Sequence, residues 1–408
     1  MVFVLSCGSN VYSQCCQKGS EKITTLSPIT LLPEGVSLVN VKKIACGREH
    51  TMMLLRDGRL FGIGHNQHGQ IFGKTQAQYS EFLKIDSSSF LSVGDTIVDV
   101  FCTQINTYVI TECGKIYWSG WENLHSEKNY LKMQNMDGIK SIDYFVTNSN
   151  AVHCFISSHG KLFSCGWNSH GQLSIGTKID SYGALQEVDF DVRKIKCIAL
   201  GAQFSVLATT DDVLYGCGSN GDFQLSSGYS TSDVFSVIDT PFKDKKIRNI
   251  VCGGFHTLVQ LENEEIWGCG KNISSDTFVQ LDINEPIRAM GAGWQFFICL
   301  GESMKLYVCG TNTYGQLSTS NCDDQNHITC LPPHPLITSY TEKTVFDCGE
   351  FYTFCYSTSD CIGNHFIFMQ SILNRANGIT NKETNSHYHS DSLFLSDINI
   401  LSSDTSLQ

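Results

Sequence analysis

The sequence predicts an all-β fold, a seven-bladed β-propeller closed by pairing of N- and C-terminal strands. Three observations predict it. First, seven short aromatic or apolar runs each end in a glycine: Gly8, Gly64, Gly120, Gly166, Gly218, Gly270 and Gly310. Successive glycines lie 56, 56, 46, 52, 52 and 40 residues apart, and a recurring period of that size marks a repeat architecture. Second, a further turn position sits 17 residues upstream of six of them. It is glycine at Gly47, Gly201, Gly253 and Gly293, while Thr103 and Ser149 fill the slot in the other two copies. Third, the two ends are complementary. Gly8 is a downstream glycine with no upstream one before it, and Gly349 is an upstream one with no clear downstream partner.

The elements follow in order. Between its two glycines each unit reads apolar run, turn, apolar run. In the unit of Gly47 the runs are His50–Leu55 and Arg59–Phe61, separated by Arg56-Asp57-Gly58. Asp-Gly between apolar runs signals a hairpin, because glycine takes positive φ at little cost. Later hairpins are expected at Glu112-Cys113-Gly114, His159-Gly160, Asp211-Asp212 and Asn263-Glu264. Each unit is therefore a set of short antiparallel strands. For the last one, residues 1–16 are expected to pair with residues 343–358, which closes the ring. The propeller is expected to span residues 1–370. Residues 371–408 read as a polar, disordered tail, since Asn377–Ser392 has no apolar periodicity. His365–Gln370 is a candidate extra strand, and Leu393–Leu401 a terminal apolar run.

Composition bounds the function. The 408 residues are 41% hydrophobic and 17% charged, enough for a sizeable core. No run is long enough for a membrane span, and Val2-Phe3-Val4-Leu5 is too short for a signal-peptide core. The net charge of −12 argues against a surface that binds nucleic acid, whose footprint is basic. The 19 cysteines are odd in number, and Cys7, Cys46, Cys165, Cys217, Cys252, Cys269, Cys309 and Cys348 each precede a repeat glycine. They read as small core residues with free thiols in a reducing intracellular compartment, cytoplasmic or nuclear.

Strand order gives the ring two faces. Turns at the upstream glycines share one face with turns after the downstream glycines, and the hairpins lie on the other. The first face collects His65, His68, Trp121, Trp167, His170, Asp222, Phe255, Trp294, Tyr314 and Phe351, and it is the candidate partner face. Aromatic, histidine and amide side chains on loops held by a rigid scaffold are what protein interfaces favour. His50, Phe204, His256 and Phe296 share one repeat slot, either packing between blades or facing a partner. On the opposite face Lys42, Lys196, Arg248 and Arg288 each stand five residues before an upstream glycine. Asp57, Asp211 and Glu264 are expected to neutralise that partial basic ring.

Motifs for intrinsic chemistry are absent from the sequence: no phosphate-binding P-loop, no nucleophile elbow and no dinucleotide fingerprint. No cofactor and no catalytic residue are therefore assigned. One cluster has metal-ligand chemistry, Cys322, His327, Cys330 and His334. Its Cys-x4-His-x2-Cys-x3-His spacing fits no common finger, so it reads as a zinc site or as a plain loop.

The runs Ala45-Cys46-Gly47-Arg48-Glu49-His50-Thr51 and Asp57-Gly58-Arg59-Leu60-Phe61-Gly62-Ile63-Gly64-His65-Asn66-Gln67-His68-Gly69-Gln70 resemble the repeat of the regulator of chromosome condensation family. Val251–Thr257, Asn168–Leu173 and Asn312–Leu317 are similar, and the resemblance covers roughly residues 1–365. It implies guanine-nucleotide exchange on a Ran-like small GTPase by a monomeric propeller. Exchange-active members press one face and a projecting wedge against the GTPase, for which Gln17–Asn40 and Lys74–Asp95 are the nearest segments here. The resemblance assigns no exchange residue to a position of this chain. A non-catalytic scaffold or targeting subunit is the second reading.

Overall fold

A strand that ends in a left-handed glycine must turn there, and each repeat turns into one antiparallel sheet. The computed structural model describes residues 3–72, 76–121, 142, 144–273, 275–337 and 343–358. They form a ring of seven sheets, six of four strands and one with three described strands. Blade one is Val41–Cys46, His50–Leu55, Leu60–His65 and Gln78–Lys84, hydrogen-bonded in that order from the ring axis outwards. Blade two comprises Ile97–Cys102, Asn106–Thr111 and Ile116–Gly120. Blades three to six repeat the order over Tyr144–Val188, Ile195–Val237, Ile247–Gln280 and Ile287–Leu331.

Blade seven takes its strands from both ends. Lys343–Cys348 and Tyr352–Thr358 are followed in space by Val4–Ser9 and then Lys22–Pro28. Val4–Ser9 runs antiparallel to Tyr352–Thr358, with Leu5 opposite Cys355 and Cys7 opposite Thr353. The N-terminal stretch thus supplies two strands of the last blade. The strand and tail expected beyond residue 358 lie outside the described residues.

Both glycine anchors have a steric reason. At the downstream position Gly64 has φ +113°, and a Cβ there would meet the backbone of Glu49 and His50. The upstream position has ordinary φ but no room. A Cβ on Gly47 would overlap the His50 ring, and the same holds for Gly201 under Phe204, Gly293 under Phe296 and Gly349 under Tyr352. His50, Phe204, His256 and Phe296 are fully buried. His50 Nε2 meets Thr107 Oγ1 of the next blade at 3.0 Å. This slot therefore packs between blades.

The core is distributed. Buried apolar side chains among the described residues form seven clusters, one at each blade–blade junction. The first strands of the blades line an axial cavity of about 220 Å³. One loop of blade three plugs its mouth. Asn148 Nδ2 donates to Leu200 O and, at 3.3 Å, to Cys252 O across the axis. Ser149 Oγ donates to Cys348 O, and Asn150 Nδ2 donates to Ala292 O at 3.1 Å. Gln104 Nε2 donates to Asn150 O at 3.0 Å. Three consecutive residues of blade three thus bond to blades four, five, six and seven, and blade two bonds to them.

The plug corrects one expectation. His153 pairs with Gly166 as His50 pairs with Gly64, so the position three before it, Asn150, holds the upstream slot rather than Ser149. The blade-three hairpin joins Ser158 directly opposite Lys161 and is one residue shorter than that of blade one, which shifts the offset. No helix among the described residues is long and apolar enough to cross a membrane.

Three stability outcomes follow. Gly201→Ala is expected to lower unfolding free energy in urea by about 1–3 kcal/mol, because the added methyl overpacks Phe204. Gly228→Ala, which meets nothing within 4 Å, is expected to stay within about 0.5 kcal/mol of wild type. Asn150→Ala is expected to cost about 1–3 kcal/mol, since it strands the buried Ala292 carbonyl.

Candidate functional site

The loops after the third strands are built around two amides. In Asn10–Cys15 the Asn10 Oδ1 accepts from Cys15 N at 3.0 Å, and Gln14 Oε1 accepts from Tyr12 N at 2.8 Å. The pattern repeats with Ile71 N to Asn66 and His68 N to Gln70, at 2.7 and 3.0 Å. It repeats again around Asn168 and Gln172, Asn220 and Gln224, and Asn312 and Gln316. The glutamines are almost fully buried. Their carbonyls are also tied to the neighbouring blade: Thr51 Oγ1 donates to Gln14 O at 2.7 Å and Thr257 Oγ1 to Gln224 O at 2.7 Å. Each loop is thereby fixed by its own backbone and by the blade beside it.

All ten residues expected on the partner face lie on these loops or on the turns at the upstream glycines. Trp121 is 49% exposed, and the other nine are half-buried. They group by contact. His65 and His68 lie 6.0 Å apart between centroids, with Tyr12 against His65 at 4.8 Å and Trp121 against His68 at 4.7 Å. Trp167 packs on His170 at 5.7 Å, Phe255 on Trp294 at 4.9 Å, and Tyr314 on Phe351 at 5.2 Å. Lys271 sits over Phe255, and Lys22 over Tyr314. Asp222 stands alone in blade four, with no ion pair among the described residues. Burial pulls the pKa of His68 and of His170 below the ordinary histidine value. Tyr12 was missed by sequence reasoning, although its place between Asn10 and Gln14 matches His68 between Asn66 and Gln70.

The axial rim of this face is a backbone ladder that crosses blades. Arg48 N donates to Gln104 O and Gln104 N to Ala151 O, each at 3.1 Å. Ala202 N to Gly254 O, Gly254 N to Trp294 O and Trp294 N to Glu350 O continue it at 3.2, 3.0 and 3.4 Å. At the junction of blades three and four Asn148 supplies the link. At the junction of blades seven and one Arg48 Nε lies 2.6 Å from Glu350 Oε2. Glu350 Oε2 has no hydrogen-bond geometry to it, so the contact is a bare ion pair. Burial pushes Glu350 up to about 7 against the pull of Arg48, and Glu49 adds to the rise. Asp347, half-buried beside the axial cavity, is raised to about 6 by desolvation, opposed by Lys43 and by the Cys46 N–H.

Other expectations are resolved by geometry. On the opposite face Lys196 pairs with Asp212 at 3.0 Å, Arg248 with Glu264 at 2.7 Å, and Lys42 Nζ donates to Val98 O. Blade four neutralises its lysine with Asp212 rather than Asp211, and Asp57 binds Arg59 instead. The Cys322, His327, Cys330 and His334 cluster does not assemble. His327 and Cys330 are both exposed on the strand Gln325–Leu331, whose register shifts between Gln325 and Thr329, and His334 Nε2 donates to Leu26 O instead. No metal-binding group of three such residues occurs among the described residues. Gln17–Asn40 carries the outer strand Lys22–Pro28, and the stretch up to Asp95 carries Gln78–Lys84.

Comparison with known proteins agrees with this architecture. Residues 41–70 match the model of the "Regulator of chromosome condensation (RCC1) repeat". The human E3 ubiquitin-protein ligase HERC2 is 24% identical over 296 residues, which are 69% of this chain and 6% of that protein. The Xenopus laevis regulator of chromosome condensation is 26% identical over 242 residues, 54% of this chain and 56% of that protein. The chain therefore matches only part of each of these relatives. The crystal structure of Prp20p from Saccharomyces cerevisiae, described with its binding to Gsp1p and histones, superposes with TM-score 0.70 at 16% identity. It covers 93% of this chain and 94% of that one. Repeats of this kind thus occur in proteins with different activities.

Asp347 and Glu350 set a pH response. Their folded pKa values are raised, so the protonated carboxyl is the form the fold favours. The stability they contribute is complete below about pH 4 and is lost as pH rises through about 6 for Asp347 and about 7 for Glu350. Glu350→Gln is expected to match wild type in urea unfolding at pH 4 and to exceed it at pH 8. Equal stability of the two proteins at pH 8 would contradict the assignment.

Proposed function

The chain is a propeller of the regulator of chromosome condensation type, and on that premise we propose that it works by holding a protein partner on the face that carries Tyr12, His68, Trp121, His170, Trp294 and Tyr314. The observation that carries this reading is the amide-clamped loop. Its side chains are half-buried, contact one another in aromatic groups, and sit on backbone that cannot yield. Such a surface loses little conformational entropy on binding. The opposite face has its basic residues tied to local carboxylates and carbonyls, which leaves less for a partner to pair with.

The named activity is guanine-nucleotide exchange on a Ran-like small GTPase. It needs no nucleophile and no metal, only tighter binding of the nucleotide-free state than of the nucleotide-bound one. One copy of the chain suffices, because the ring closes on itself. The free thiols suit a reducing compartment, cytoplasm or nucleus. A pure scaffold is the second reading; it uses the same face and requires no wedge.

The test is release of a fluorescent guanine nucleotide from Ran and a panel of small GTPases, with this protein at catalytic amounts. Exchange predicts acceleration of about a hundredfold or more on one member, equivalent to about 2.7 kcal/mol off the release barrier. No acceleration on any member would refute exchange and leave the scaffold.

A further inference from the structure

Each amide-clamped loop takes a left-handed turn at the residue three after its asparagine. That position is Gly69, Gly171 and Gly315 in three copies and Ser13 in a fourth, with φ between +65° and +87°. In blade four it is Phe223, at φ +59°. Glycine takes this conformation at little cost, whereas a bulky L side chain is strained in it. The loop keeps the same clamp as its counterparts, with Asp222 N bonded to Gln224 Oε1 and Leu225 N to Asn220 Oδ1. The turn is therefore made by the backbone and the two amides, not by the ring.

The ring gains nothing from the fold in return. Phe223 is 45% exposed, and Trp121 is the other exposed aromatic side chain among the described residues. Trp121 packs on His68. Phe223 enters no apolar cluster among the described residues. Phe72 is the contrast. It is also left-handed, at φ +46°, but its ring stacks on Phe90 at 6.1 Å against the core between blades one and two. Strain at Phe72 is offset by packing, and strain at Phe223 is not. Strain that the fold leaves unanswered gathers where a protein binds or acts.

We propose that Phe223 is an apolar anchor of the partner face, seated on complex formation in an apolar pocket of the protein partner. The proposal rests on the exchange reading above. Trp121 and Phe223 stand on blades two and four, on either side of the Trp167–His170 pair of blade three. The partner thus meets an arc of aromatic side chains across three neighbouring blades. Interfaces gather such side chains at their buried centre. A ring on a clamped loop also has little conformational freedom left to lose on binding. A convex, exposed phenyl group calls for a concave apolar site opposite, not for a flat polar surface.

The experiment measures the affinity of the full chain for nucleotide-free Ran and the same panel of small GTPases, with wild type, Phe223→Gly and Phe223→Leu. Thermal midpoints are recorded alongside, with Phe72→Gly as a packing control. Phe223→Gly is expected to bind at least tenfold more weakly while melting at or above wild type, because glycine relieves the left-handed turn. Phe223→Leu keeps an apolar side chain at the same φ and is expected to lose less affinity. Phe72→Gly is expected to melt clearly lower. Wild-type affinity in Phe223→Gly would overturn the anchor while GTPase binding itself stands. A midpoint of Phe223→Gly as low as that of Phe72→Gly would make the ring structural and also overturn it. Sedimentation of the free proteins tests self-association: a wild-type oligomer that Phe223→Gly turns into monomer would assign the ring to a second copy of this chain and overturn the partner pocket. If wild type binds no GTPase, the exchange reading fails and this proposal falls with it.

Discussion

The strand Val4–Ser9 is the contact on which the ring depends. It is hydrogen-bonded on one side to Tyr352–Thr358 and on the other to Lys22–Pro28. Its side chains alternate between two junctions, as strand geometry requires. Leu5 and Cys7 enter the cluster shared with blade six, and Val4 enters the one shared with blade one. One strand thus completes a sheet and two of the seven interblade cores. Without it blade seven would have two strands, and the first and last blades would face each other across a missing layer.

Closure has a consequence for the working face. A closed ring lets each loop be braced by the blade beside it, as Thr51 braces Gln14 and Thr257 braces Gln224. The backbone ladder around the axis and the plug at Asn148–Asn150 join the blades a second time on that same face. Rigidity is therefore concentrated where side chains are offered to a partner. The seam between blades seven and one is joined at the rim by an ion pair, where one junction has the Asn148 side chain and the others a backbone bond. Burial of Glu350 makes that seam sensitive to pH.

Much of this was legible in the sequence. The glycines mark strand ends because the downstream position takes positive φ and most upstream ones lie against a buried ring, and closure followed from the half-units at either end. The two-faced arrangement followed from strand order alone. What was not legible arose where a local pattern hid a distant contact. Ser149-Asn150 looked like a worn copy of an anchor, yet its hydroxyl and amide reach carbonyls more than a hundred residues away. Tyr12 lay in a loop whose Asn-to-Gln spacing repeats elsewhere but whose surroundings, Cys15 and Cys16, departed from the pattern. The Cys322–His334 cluster was close in sequence, yet its residues do not converge, and His334 bonds to the Leu26 carbonyl instead. The buried charge of Glu350 needs the neighbouring blade before it can be seen at all.

The central claim is that one face of the ring is the working face. Hydrogen–deuterium exchange of this protein with and without an excess of nucleotide-free Ran tests it most directly. The account predicts added protection in the loops Asn10–Gln14, Asn66–Gln70, Asn168–Gln172, Asn220–Gln224 and Asn312–Gln316. It predicts none in the hairpins Arg56–Arg59 and Glu262–Glu265. Protection confined to those hairpins, or no protection at any loop, would contradict it.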